Sequence, residues 1–229
     1  MATFVLIHGS YQGGWIWNPV AMRLRAAGHQ VYAPTLDGCA ERKSQIRAGI
    51  TTETQAEEVA QMLFYRDLHD VVLAGTSSGG MVVCRVAELM RERLSRLVFV
   101  DALALLDGEK IRDIVTRSTA VAGGLTAGPS REDAANRLFA DLEPHTKAWA
   151  LERYTRHPIA IYDQPVKLDS FWPQPWKADV IWCKRAQNPG EAHQRRTADK
   201  LGAAWHELDT GHYPMLSMPD ELTMLLTRA

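Results

Sequence analysis

Six short strand-like runs punctuate the chain: Phe4-Val5-Leu6-Ile7, Gln30-Val31-Tyr32-Ala33, Val71-Val72-Leu73-Ala74, Leu97-Val98-Phe99-Val100, Val180-Ile181-Trp182-Cys183 and Ala204-Trp205-His206-Glu207-Leu208. The first, third and fourth are continuously apolar, the pattern of strands covered on both faces. Between the runs, apolar residues recur at helical spacing over Trp15 to Ala27, Met81 to Leu94, Pro189 to Leu201 and Pro219 to Arg228. A further helix opens at Thr52-Glu53-Thr54-Gln55, which has the form of a capping box, and carries Ala56, Val59, Ala60, Leu63 and Phe64 on one face. Strands alternating with helices predict βαβ units, hence an α/β fold with a parallel sheet and helices on both faces. In such sheets ligands bind beyond the carboxyl ends of the strands.

The alternation stops at Leu105 and resumes after Lys177. Short helical patterns fill the interval, together with a Gly/Ala/Thr/Ser stretch (Ala120 to Ser130) and the aromatic, proline-rich Phe171-Trp172-Pro173-Gln174-Pro175-Trp176. We therefore expect one core built from 1–104 and 178–229, with 105–177 inserted as a lid over the site.

Composition narrows the chemistry by exclusion. With 229 residues and 46% hydrophobic side chains, the chain suffices for one core. Twenty-six basic against 27 acidic side chains give a net charge of -1, so no electrostatic footprint for nucleic acid or an anionic membrane exists. The three cysteines, Cys39, Cys84 and Cys183, form no C-x-x-C pair, against a disulfide framework or zinc knuckle. Met1-Ala2-Thr3-Phe4 leads straight into a strand and no apolar run approaches ~18 residues, so the expected setting is the cytoplasm, off the membrane. There is no H-E-x-x-H, and positions 75, 77 and 80 read Gly, Ser and Gly, which breaks a dinucleotide fingerprint. No metal and no cofactor is expected. The expected partner is a small-molecule substrate, with homodimerisation left open.

Three motifs carry positive information. Gly75-Thr76-Ser77-Ser78-Gly79 follows a strand and opens a helix, fitting the G-x-S-x-G turn that exposes a serine hydroxyl above a sheet. Only Ser77 fits the frame, because position 76 is threonine. His8-Gly9-Ser10-Tyr11-Gln12-Gly13-Gly14-Trp15 follows the first strand as a glycine-rich loop suited to close backbone approach. Thr210-Gly211-His212 follows the last strand and offers a general base, which a serine nucleophile requires.

In this order the motifs, together with Gly211-His212-Tyr213-Pro214-Met215-Leu216-Ser217 and Pro219, resemble the α/β-hydrolase family, in particular its small plant-type methylesterases, hydroxynitrile lyases and bacterial esterase relatives. The resemblance covers roughly 3–104 and 178–229. It implies Ser77 as nucleophile, His212 as base and the backbone N–H groups of Ser10 and Ser78 as an oxyanion hole. The branch usually places its aspartate after the strand formed here by Val180 to Cys183, but Lys184-Arg185-Ala186-Gln187-Asn188-Pro189-Gly190 holds no carboxylate. Two acids compete for the third role: Asp101, at the end of the strand after the nucleophile helix, which is favoured, and Glu191, the first acid after that loop.

The expected activity is a cofactor-independent serine hydrolase acting on a small, apolar or aromatic carboxylic ester, or a carbamate or activated amide. Tyr11, Trp15, Phe171, Trp172 and Trp176 are the expected substrate contacts. A lyase, a cofactor-free dioxygenase and a non-catalytic ligand receptor are the rivals. The lyases of the resembling branch carry lysine directly after the histidine, where this chain has Tyr213.

Overall fold

The computed structural model describes residues 1–115 and 124–228. Residues 120–123 of the Gly/Ala/Thr/Ser stretch lie outside the described residues. Six strands, β1 (Thr3–Ile7), β2 (Gln30–Tyr32), β3 (Val71–Ser77), β4 (Leu94–Ala102), β7 (Ala178–Cys183) and β8 (Ala204–Leu208), form one sheet in the order β2-β1-β3-β4-β7-β8. Every pairing is parallel. Strands β5 (Thr126–Ala127) and β6 (His157–Pro158) pair antiparallel within the insertion.

Alternation along the strands builds two cores. Val5, Ile7, Leu73, Leu97, Phe99 and Val180 face one side, against α2 (Thr52–Tyr65) and α3 (Gly79–Leu89). Phe4, Leu6, Val72, Ala74, Val98 and Ile181 face the other, against α1 (Asn18–Ala26) and α10 (Pro219–Thr227). The helix α8 (Glu191–Leu201) adds Ala198 and Leu201 to the first core.

Two local expectations are corrected. The capping box of α2 is built one residue earlier than expected: Thr51 Oγ1 accepts from Thr54 N–H at 3.3 Å and Thr54 Oγ1 accepts from Thr51 N–H at 3.0 Å. This frees Gln55 to turn inward and donate to Asp37 O at 3.0 Å. Phe64 is not on the buried face but 57% exposed beneath the Arg93 guanidinium, in the last turn of α2. Beyond these, α3 stops at Leu89 and a 3-10 turn, Arg91–Arg93, delivers the chain to β4 earlier than the apolar run alone indicated.

The insertion contains α4 (Ile111–Ile114), α5 (Arg131–Asp133) running on through the π-helical Ala134–Leu138, α6 (Pro144–Arg153) and α7 (Ala160–Asp163). A short α9 (Pro214–Ser217) follows β8. The insertion contributes Ile161, Tyr162 and Phe171 to one core and Phe139, Leu142 and Ala150 to the other. Among the described residues no helix is long and apolar enough to cross a membrane.

Candidate active site

Beyond the carboxyl ends of the strands lies a cavity of about 670 Å³, lined on the sheet side by Ser10, Tyr11, Ser77, Ser78, Leu103, Arg185 to Pro189 and Gly211 to Tyr213. The insertion closes it with Ile111, Arg112, Val115, Pro129, Asn136 to Leu138, Ala140, Asp141 and Tyr162. The topology brings the three sequence motifs to this one space.

Ser77 ends β3 with φ of 52°, a left-handed conformation that is strained for a side chain with a Cβ. The turn is enforced by close approach: a Cβ on Gly79 would lie 2.5 Å from His8 O, so only glycine lets α3 start hard against the β1 loop. Gly9 approaches as closely from the other side, where a Cβ would lie 2.5 Å from Ser77 Cβ.

The loop after β1 is braced by His8. Its Nε2 accepts from Leu36 N–H at 3.0 Å and its Nδ1 donates to Gly9 O at 2.8 Å. Burial lowers its pKa to about 4, so the neutral ring that this pairing requires is the one present near neutrality. Ser10 and Ser78 join the two loops through their hydroxyls, 2.9 Å apart. Among the described residues neither backbone N–H of this pair has a hydrogen-bond partner.

Asp101 reaches the site through a fault in the sheet. Thr76 pairs with Val100 but Ser77 pairs with Ala102, leaving Asp101 as an extra residue with φ of 45°. Such a bulge re-aims a side chain. The carboxylate, fully buried, meets His212 Nδ1 with Oδ2 at 2.5 Å, while Oδ1 accepts from Cys183 N–H at 3.4 Å. Burial pushes the Asp101 carboxyl upward, and the His212 contact opposes that push. With Nδ1 engaged, Nε2 is the ring nitrogen left to act. Glu191 is elsewhere: it begins α8, lies outside the cavity lining and pairs with Arg195 at 3.4 Å.

The aromatic expectations are largely corrected. Tyr11 lines the cavity, but Trp15, Phe171, Trp172 and Trp176 do not. Trp15 packs edge-on against Trp149 on the opposite core. Phe171 stacks on Trp176, and Trp172 Nε1 donates to Leu105 O, so this segment seals the first core beside α3. Their apolar area is spent on packing.

Sequence reasoning missed Asp141 and Tyr162. Asp141 Oδ2 accepts from the N–H of Gly211 at 2.8 Å, one residue before His212. Tyr162 stacks on Tyr11 at a centroid distance of 6.4 Å. Neither sits in a motif, since the insertion has no repeating pattern. The cavity rim carries Arg112, Arg137 and Arg185, of which Arg112 pairs with Asp163 and Arg185 with Asp209. Among the described residues no group of three or more His, Cys, Asp and Glu side chains is placed to hold a metal ion.

The model of the alpha/beta hydrolase family matches residues 4–224. The chain belongs to the alpha/beta hydrolase family. A relative within the reach of sequence comparison is a carbendazim hydrolyzing esterase of Nocardioides sp. strain SG-4G, 36% identical over 118 residues, which are 52% of this chain and 49% of that protein. An alpha-hydroxynitrile lyase of Arabidopsis thaliana is 31% identical over 100 residues, 43% of this chain and 39% of the lyase. The matched stretch thus spans about half the length of these curated relatives or less. Among solved structures, an extracellular alpha/beta-hydrolase from a Paenibacillus species superposes with a TM-score of 0.86 at 23% identity, covering 99% of this chain and 98% of that one. The likeness in fold to this alpha/beta hydrolase therefore includes the insertion.

Proposed function

We propose that this alpha/beta hydrolase is an esterase: a cofactor-independent serine hydrolase that cleaves a small carboxylic ester, or a carbamate or activated amide, through an acyl-enzyme on Ser77. The observation that carries the reading is the Asp101–His212 hydrogen bond at 2.5 Å, which orients the histidine inside the cavity that the strained Ser77 also lines. The esterase relative supports hydrolysis over lyase chemistry, as does Tyr213 in place of lysine.

In this mechanism His212 Nε2 takes the Ser77 proton as Oγ attacks the carbonyl carbon, and Asp101 stabilises the imidazolium. The backbone N–H groups of Ser10 and Ser78 receive the charge that develops on the carbonyl oxygen. The tetrahedral intermediate collapses, and the leaving alcohol departs with the proton held by His212. Water then enters, gives a proton to His212 and attacks the acyl carbon; collapse returns the proton to Ser77 and releases the acid. A low dielectric strengthens every charge contact in these steps, and the insertion supplies it by covering the cavity.

The test is a fluorophosphonate probe followed by peptide mapping, with p-nitrophenyl ester turnover alongside. The label should land on Ser77, and Ser77→Ala should lose both label and turnover. A folded wild-type protein that takes no label and hydrolyses no ester overturns the proposal.

A further inference from the structure

At Asp101 the strand β4 parts from its neighbour. Its register with β7 ends at the pair Val100 and Ile181, although β7 runs on to Cys183, which pairs with Leu208 of β8. The N–H of Cys183 donates to the Asp101 side chain instead. Two side chains of α8 then bond the backbone of the segment beyond. Gln194 Nε2 donates to Ala102 O at 3.0 Å, and His193 Nε2 accepts from the N–H of Ala104 at 3.1 Å. Side chains thus do what a sheet ladder does elsewhere, since buried backbone groups must be paired. Between them, the N–H of Leu103 donates to Ser77 O at 2.8 Å. Gly80 of α3 closes the other side, where a Cβ would lie 2.5 Å from Leu103 O.

Gln194 is fully buried, and its Oε1 has no hydrogen-bond partner among the described residues. Burying an amide in this way is unfavourable, and the bond to Ala102 O is what its side chain makes in return. His193 is buried too, and burial lowers its pKa to about 4, so the ring is neutral near neutrality and Nε2 can accept. Neither residue lines the cavity.

We infer that Gln194 and His193 are positioning residues: by clamping Ala102 and Ala104 they hold the bulge whose φ of 45° sends the Asp101 carboxylate to His212. Because Leu103 is bonded to Ser77, the same clamp fixes the acid relative to the nucleophile. The inference rests on the serine-hydrolase reading and adds to it the elements that aim its acid. A misplacement of about 1 Å by a change remote from the chemistry can cost about 100-fold in rate.

The experiment uses Gln194→Met, which keeps the volume and removes the donor, and the pair His193→Leu and His193→Gln, of which only the glutamine keeps an acceptor. Leu201→Ala, a core truncation on the same helix with no bond to β4, controls for lost stability. Turnover of p-nitrophenyl butyrate, thermal midpoints and the downfield proton resonance of His212 Nδ1–H are measured on each. Gln194→Met and His193→Leu should lower kcat about tenfold with KM within about twofold, and should shift or broaden that resonance. His193→Gln should stay within about threefold of wild type, and Leu201→Ala should keep both kcat and the resonance at a lowered midpoint. Wild-type kcat and resonance in Gln194→Met overturn the inference. So does an equal fall in His193→Gln and His193→Leu, or a fall in Leu201→Ala that matches theirs, which would make the bonds structural only. If Gln194→Met does not fold, the His193 pair decides alone. A wild type that neither takes a fluorophosphonate label nor hydrolyses the ester means that the hydrolase reading itself has failed, and the inference falls with it.

Discussion

Asp101 and His212 meet at 2.5 Å across 111 residues of sequence, and they do so because one residue of β4 is left out of the ladder. An asparagine at 101 would present an N–H₂ to Nδ1 and favour the tautomer that cannot accept the serine proton. Asp101→Asn should therefore lower kcat by about 10⁴-fold, whereas Glu191→Gln should leave it within about twofold, since surface pairs contribute little. Steady-state kinetics on one ester decide it; comparable losses in both variants would remove Asp101 from the triad.

Asp141 fastens the insertion to the histidine loop through Gly211 N–H. Asp141→Ala should reduce kcat about tenfold, because small misplacements of a catalytic group are expensive in rate. Asp141→Asn keeps an accepting oxygen and should stay within about threefold of wild type. If the two variants behave alike, the contact does not position His212.

Gly9 leaves no room for a methyl group, which would fall 2.5 Å from Ser77 Cβ and 2.9 Å from Thr76 O. Gly9→Ala should push the nucleophile off line and reduce kcat/KM by about 100-fold, with a stability loss of about 1–3 kcal/mol from overpacking. Titration with a fluorophosphonate would reveal the same defect as slowed labelling.

Stability should fall on mild acidification. Burial holds His8 at about 4, His157 at about 3 and His193 at about 4, while an unfolded histidine titrates near 6.5. Below pH 6.5 the unfolded chain binds protons that the fold refuses, so stability is full above that pH and declines down to about pH 3, where the last of the three, His157, takes its proton in the fold. Near pH 5 the slope approaches about 4 kcal/mol per pH unit if all three contribute. Asp101, whose carboxyl is raised by burial, acts in the opposite sense at the acid end. Urea unfolding at pH 7.5, 6 and 5 measures the slope, and His157→Gln should reduce it by about one proton. A flat profile would mean that these rings are protonated inside the fold.

The core was legible because strands covered on both faces leave unbroken apolar runs, and Phe4 to Ile7 or Leu97 to Val100 can be little else. Ser77 and His212 were legible for a different reason: each sits beside a glycine that a close approach requires, Gly79 against the His8 backbone and Gly211 against the Asp141 carboxylate. Asp101 was half legible. Its position at a strand end is visible, but the bulge that aims it depends on how β3 and β4 pair, which no local pattern encodes. The tryptophans misled because an aromatic, proline-rich segment looks the same whether it covers a ligand or a helix end. Asp141 and Tyr162 were invisible, since their meaning comes from partners far along the chain.

The insertion's membership in both cores has an engineering consequence. Phe139 and Tyr162 lie in hydrophobic clusters on opposite faces of the sheet, so the segment between β4 and β7 works as a clasp joining the two halves of the interior. It cannot be swapped for a relative's cap as a module without rebuilding both sides. Changes of specificity in this scaffold should therefore come through single residues on its inner wall, and chimeras cut at residues 105 and 177 should lose cooperative unfolding before they gain a new substrate.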